Sequence, residues 1–112
     1  MKNNFIEYCL NKHGAIKDYP LGTDPLAIKI EGKIFALFYD EKGYLVLKCD
    51  PVDAENLREQ HEDVRPGYHM NKQHWNTIIL EGSLPESDIF VMIDHSYDLV
   101  VKSLPKSIRD SI

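Results

Sequence analysis

The sequence predicts an α+β fold, a twisted antiparallel sheet with N- and C-terminal helices packed mainly on one face. Three observations predict it. Apolar residues recur at helical spacing near both ends of the chain. Between residues 26 and 49, three short apolar runs of strand character are separated by tight-turn signals. A further run, Trp75 to Leu80, follows a Pro-Gly crossing. Helices segregated from a meander in this way pack on one side of an antiparallel sheet.

Residues 3 to 12 carry Phe5, Ile6, Cys9 and Leu10 on one helical face, and Gly14 is placed to stop that helix. Asp18 to Gly22 reads as a strand edge and turn, with a new extended segment from Asp24-Pro25. Leu26, Ile28 and Ile30 alternate with Ala27, Lys29 and Glu31, the period of a strand with one wet face. Gly32-Lys33 reverses the chain. Ile34 to Tyr39 is apolar on both sides, as in a central strand, and Asp40 to Gly43 suits a hairpin turn into Tyr44 to Cys49.

Asp50-Pro51 is a helix start, since Asp accepts from first-turn amides and proline tolerates the first helical position. That helix runs to about His61 and is expected to turn Val52, Ala54 and Leu57 inward. Val64 to Gly67 reads as a crossing before the strand at Trp75. Ser83 and Pro85 open a long helix with Ile89, Ile93, Tyr97, Val100, Val101 and Leu104 on its inner face, closed by Pro105 and expected to bend near Asp94-His95-Ser96.

The 112 residues suit one domain spanning 1–112, in which folding removes about two thirds of the unfolded surface from water. A hydrophobic fraction of 43% supports one core without staples. The longest apolar run, Ile34 to Tyr39, is far too short to span a bilayer, and Glu7 and Tyr8 interrupt what a signal peptide would need. Cys9 and Cys49 form no CxxC pair and read as buried thiols of a reducing compartment, so a cytoplasmic location is expected. The net charge of −5 opposes nucleic acid and anionic membranes unless a local basic patch exists.

No catalytic set is expected, and no cofactor. Asp94-His95-Ser96 has the residue types of a hydrolytic triad, but successive helical residues point about 100° apart and cannot share one line of hydrogen bonds. Cys49 precedes a helix start, yet the adjacent Asp50 disfavours a thiolate. His61, His69 and His74 lack the tight pairing of metal ligands and suit hydrogen bonds to loop backbone. No glycine loop of phosphate-cradling type occurs. The segment Arg65 to Trp75 sets Arg65, His69, Asn71, Lys72, Gln73 and His74 among Tyr68 and Trp75, a mix suited to phosphate contact with stacking. The same Asn and His side chains would equally satisfy the backbone of a long loop, with Trp75 as its anchor.

At this segment the sequence resembles the MmcQ/YjbR family of small bacterial proteins. GKIFALF, LVLKCDP, PGYHMNKQHW with NTIIL, and SYDLV carry the resemblance, which covers nearly the whole chain; Leu21 stands where the family more often has Phe. The resemblance implies a frataxin-like (CyaY-like) fold and a non-enzymatic, double-wing DNA-binding role. Carried over by position, the matching residues are His69, Asn71, Lys72, His74 and Trp75, with Ser96 and Tyr97 in the second motif. Together with Arg65, the first five form the expected surface for DNA. A second reading uses the loop around Tyr68 to Trp75 as a protein or small-ligand module. Helix one, with Lys2, Glu7 and Lys12, lacks the acidic ridge that iron binding by frataxins uses. The candidate wing tips, Glu31-Gly32-Lys33 and Asp40 to Gly43, match or outnumber each Lys with acid. A basic surface then requires Arg65 and Lys72 to converge with Lys102, Lys106 and Arg109.

Overall fold

The computed structural model describes residues 2–112; Met1 and the Lys2 side chain lie outside the described part. The elements run α1 (Lys2–Leu10), β1 (Ala15–Asp18), β2 (Leu26–Ile30), β3 (Lys33–Tyr39), β4 (Tyr44–Lys48), α2 (Pro51–Gln60), β5 (Val64–Pro66), β6 (Trp75–Ile79), α3 (Glu86–Ser103) and α4 (Lys106–Arg109). The six strands form one antiparallel sheet in the order β1-β2-β3-β4-β6-β5. The first four follow as a meander. The chain then crosses through α2 to the far edge, and β6 returns between β5 and β4.

Local chemistry sets the boundaries. Glu31 and Gly32 have φ of 49° and 77°, the left-handed pair that a two-residue hairpin turn needs to follow strand twist. Asp50 caps α2 by accepting from Val52 N at 3.0 Å and Asp53 N at 3.3 Å, with Pro51 inside the first turn. A bulge separates the pairs Ile28↔Ala36 and Lys29↔Ile34, so Phe35 is an extra residue. Both Phe35 and Ala36 thereby reach the helix side of the sheet.

That side holds the main core: Phe5 and Cys9 from α1, Ile28, Ile30, Phe35, Phe38, Leu45, Leu47 and Ile78 from the sheet, and Ile89, Ile93 and Val100 from α3. Burying a side chain of this size contributes about 1.5–3 kcal/mol by taking its apolar surface out of water. Among the described residues the other side carries no helix. Its small cluster of Ala27, Leu37 and Val46 is covered by Tyr39, Tyr68, Met70 and Trp75. The wet face expected of β2 is therefore dry at Ala27, because the 67–74 segment folds back over the sheet.

Three further expectations change, and one element is added to them. Val64 to Pro66 is an edge strand, not a crossing. α3 runs unbroken through Asp94-His95-Ser96. A short α4 follows Pro105. Val52 is 68% exposed instead of inward, while Ala54 is buried and Leu57 half-buried. No helix among the described residues is long and apolar enough to cross a membrane.

Candidate functional site

The 65–75 segment builds itself from its own polar groups. Arg65 pairs with Thr77 on the sheet edge, and Gly67 N donates to Trp75 O at 2.9 Å. Gly67 lies so close to β6 that a Cβ there would stand 2.6 Å from Trp75 Cβ. Thr77 Oγ1 accepts from Tyr68 N at 2.8 Å and donates to Pro66 O at 3.1 Å. Asn71 Oδ1 accepts from Gln73 N at 2.9 Å and His74 N at 3.3 Å, closing the turn before β6. Cys49 N donates to the His74 carbonyl at 2.8 Å. Lys72 Nζ donates to Gly67 O, and the Arg58 guanidinium reaches both Lys72 O and Asn76 Oδ1.

Aromatic rings hold the segment on the sheet. Tyr68 meets Tyr39 and Tyr44 edge-on, with centroids 5.0 and 5.5 Å apart. His69, at φ 59°, lies with its ring 4.0 Å from that of Tyr68, and Lys42 Nζ stands 5.6 Å over the Tyr68 ring. Strand alternation sends Lys48 with Val46 to this same helix-free side, opposite Trp75.

The six residues singled out from sequence thus divide. Trp75 packs on the small cluster, and Asn71, though exposed, commits its side-chain oxygen to the loop. Arg65, His69, Lys72 and His74 are exposed on the helix-free side or its rim. Sequence reasoning missed Lys48, Tyr39 and Tyr44 as neighbours of the segment; alternation along β4 and its pairing with β6 supply that signal. Lys102, Lys106 and Arg109 do not join this surface. They lie at the C-terminal end of α3 and in α4, on the helix side, where Lys33 Nζ donates to Ser103 Oγ at 3.2 Å. The two candidate wing tips stand at opposite ends of β3, about seven strand residues apart, and do not form one contiguous pair.

Residues 94–97, which include the start of the second motif, tie α3 to six partners. Asp94 takes hydrogen bonds from Tyr8, at 2.7 Å, and Lys12, both at the α1 end. Burial pushes the Asp94 carboxyl up, but the Lys12 and Tyr8 bonds and the Lys12 charge outweigh it and hold it below its ordinary value. His95 Nε2 accepts from Asp50 N at 3.2 Å. Ser96 Oγ donates to Phe35 O at 2.6 Å and accepts from Lys48 N at 2.9 Å, stitching β3 to β4 where their pairing ends at Ala36↔Leu47. Tyr97 OH donates to His13 O at 2.5 Å and its ring meets Phe35 edge-on. Burial, then the Asp53 and Asp50 charges, push the Cys49 thiol up to about 11, so it is a poor nucleophile near neutral pH. Among the described residues no group of three His, Cys, Asp or Glu side chains is placed to hold a metal ion.

Fold and segment together define a class: an α+β protein with an open antiparallel sheet, helices on one face and a polar-aromatic segment folded over the other. Within that class the chain belongs to the YjbR family, whose model matches residues 10–99. It is 39% identical over 109 residues to the uncharacterised protein YjbR of Escherichia coli (strain K12), covering 96% of this chain and 92% of that protein. It is 43% identical over 114 residues to the uncharacterised protein YyaQ of Bacillus subtilis (strain 168), covering 88% and 96%. The crystal structure of Deinococcus radiodurans protein DR2400 matches with a TM-score of 0.93 at 28% identity, over 99% of this chain and 86% of that one.

Proposed function

We propose that this protein is a non-enzymatic binding module whose helix-free face takes the phosphate backbone of DNA. One observation carries the reading. The 17 residues from Val64 to Leu80 contain no carboxylate, yet hold Arg65, Lys72, His69 and His74. Lys48 adds to the same side, and Lys42 stands over the Tyr68 ring with its charge offset by Asp40 and Glu41 of its own turn. The net charge of −5 does not argue against this face, because residues 50–63 alone hold six acids against Arg58. Remove that stretch and 12 acids balance 12 cations. Lys72 spends one of its three donors on Gly67 O and keeps two for a phosphate oxygen. A cytoplasmic location goes with this reading, since Cys9 and Cys49 stay reduced there.

Fluorescence anisotropy with a short duplex at two salt concentrations tests it. With up to four cations engaged, log K should fall with log salt at a slope of roughly −2 to −4, about 0.9 per phosphate contact. Arg65→Ala and Lys48→Ala should each reduce the slope by about 1 without unfolding the chain. Absence of binding at low micromolar protein and low salt would sink the proposal, as would affinity indifferent to salt.

A second reading, a protein or small-ligand module using the loop around Tyr68 to Trp75, is favoured by one specific feature. Tyr68, Met70 and Trp75 are half-buried beside exposed Arg65, a composition common at the centre of protein interfaces. It predicts a partner whose capture is lost with His69→Ala/Gln73→Ala and is insensitive to salt.

A further inference from the structure

We propose that the groove between α2 and α3 is a binding site for a small organic cation with an apolar body, an alkyl or aryl amine. The groove lies on the helix side of the sheet, away from the 65–75 segment, and its volume is about 510 Å³. That is within the range of about 300–1,000 Å³ usual for ligand sites. The floor is apolar, formed by Leu47, Ile78 and Cys49, with Cys49 only 5% exposed. Leu57 from α2 and Met92 from α3 continue this lining up the two walls. Val91, 65% exposed and off the packed face of α3, stands at the mouth.

Charge selects the occupant. The walls carry two carboxylates, Asp53 on α2 and Asp88 on α3. His95 Nε2 lies 3.9 Å from Asp53 Oδ2, but its lone pair already accepts the Asp50 N–H, so neutral His95 offers Asp53 no proton there. Among the described residues neither Lys48 nor Arg58 forms an ion pair with these acids. Lys48 borders the groove from a strand position whose side chain alternates to the opposite face. Arg58 turns its guanidinium to Asn76 Oδ1 and the Lys72 carbonyl. An anionic ligand is therefore repelled, and a neutral one gains no attraction from the two exposed carboxylates, whereas an ammonium group does. A ligand with an ammonium group between the walls and a hydrocarbon or aromatic body on the floor satisfies both features.

The test uses amide correlation spectra of the ¹⁵N-labelled full chain, titrated separately with 2-phenylethylamine, 2-phenylethanol and 3-phenylpropionate. The amine should shift amides at Asp53, Leu57, Asn76, Val91, Met92 and His95 and bind about five-fold more tightly than the alcohol, the scale of a partly exposed ion pair. The carboxylate should not bind. The double variant Asp53→Asn/Asp88→Asn changes two exposed side chains and should bring the amine down to the affinity of the alcohol. Equal affinity for amine and alcohol, shifts centred on residues 65–75, or no binding at millimolar amine would each overturn the proposal. Failure of DNA binding leaves this result untouched, because the two sites lie on opposite faces.

Discussion

Two surfaces on opposite sides of this sheet, the 65–75 segment and the α2–α3 groove, rest on the same strands and carry opposite charge. On the helix-free side, residues 64–80 are without carboxylates and lie under the cations of Arg65, Lys72 and Lys48. On the helix side, the α2–α3 groove is walled by Asp53 and Asp88 and followed by an acidic run to Asp63. A net charge of −5 is therefore an average over two unlike surfaces, and a conclusion about nucleic acid drawn from the average addresses neither. The faces also differ in how they are made. The recognisable motif spends much of its polarity on its own backbone, whereas the walls of the groove, Asp53 and Leu57 on α2 and Asp88 and Met92 on α3, belong to no motif.

The largest expected effect falls on the helix-free face alone. Gly67→Ala forces a Cβ to within 2.6 Å of Trp75 Cβ and 2.9 Å of the Trp75 carbonyl oxygen. Backbone stands on one side of that contact, so relief requires the segment to lift, at a cost of about 2–3 kcal/mol in urea denaturation. DNA affinity should fall with it while amine binding in the groove persists, which would separate the two faces experimentally.

Ser96→Ala should come next, at about 2 kcal/mol, and should disturb both faces. It removes one hydroxyl that satisfies Phe35 O and Lys48 N in a fully buried position, leaving two backbone groups unpaired. A thermal melt showing no loss would contradict the role assigned to this stitch.

The smallest effect concerns Asp94, whose partners Tyr8 and Lys12 line neither the groove nor the 65–75 segment. Its pKa is depressed below the ordinary 3.8, so the stability it contributes is present above that value and lost as pH falls through the lower folded value. For Lys12, burial alone would lower the pKa, but the bond and attraction to Asp94 outweigh it and raise it above the ordinary 10.5. Its contribution is present below 10.5 and lost as pH rises through the higher folded value. Asp94→Asn should therefore cost under about 1 kcal/mol between those limits, with partial exposure screening the pair. The acid limb of the stability profile should flatten below pH 3.8.

Much of the fold was legible because its signals are local. The alternation at Leu26 to Ile30, the doubly apolar Ile34 to Tyr39 and the Asp50-Pro51 start each report on neighbours in sequence. β5 was not legible, since Val64 to Pro66 is too short to show a period and ends in proline, which only an edge tolerates. The bend expected at Asp94 to Ser96 is absent because each polar side chain there finds its own partner outside the helix. Val52 was assigned inward on helical spacing, but α2 borders an open groove and so has less to bury. At the site, composition marked Arg65, His69, Lys72 and His74. The company of Lys48, Tyr39 and Tyr44 depends on register between distant strands, which no local pattern encodes.

The division of the molecule into a cationic helix-free face and an acidic groove is tested most directly by one titration: ¹⁵N-labelled full chain with a short duplex at low salt. Amide signals of Lys42, Lys48, Arg65, His69, Lys72 and His74 should shift, and those of Asp53, Asp88 and Val91 should stay unmoved. Shifts centred on the groove or on Lys102 to Arg109, with residues 65–74 silent, would contradict that division.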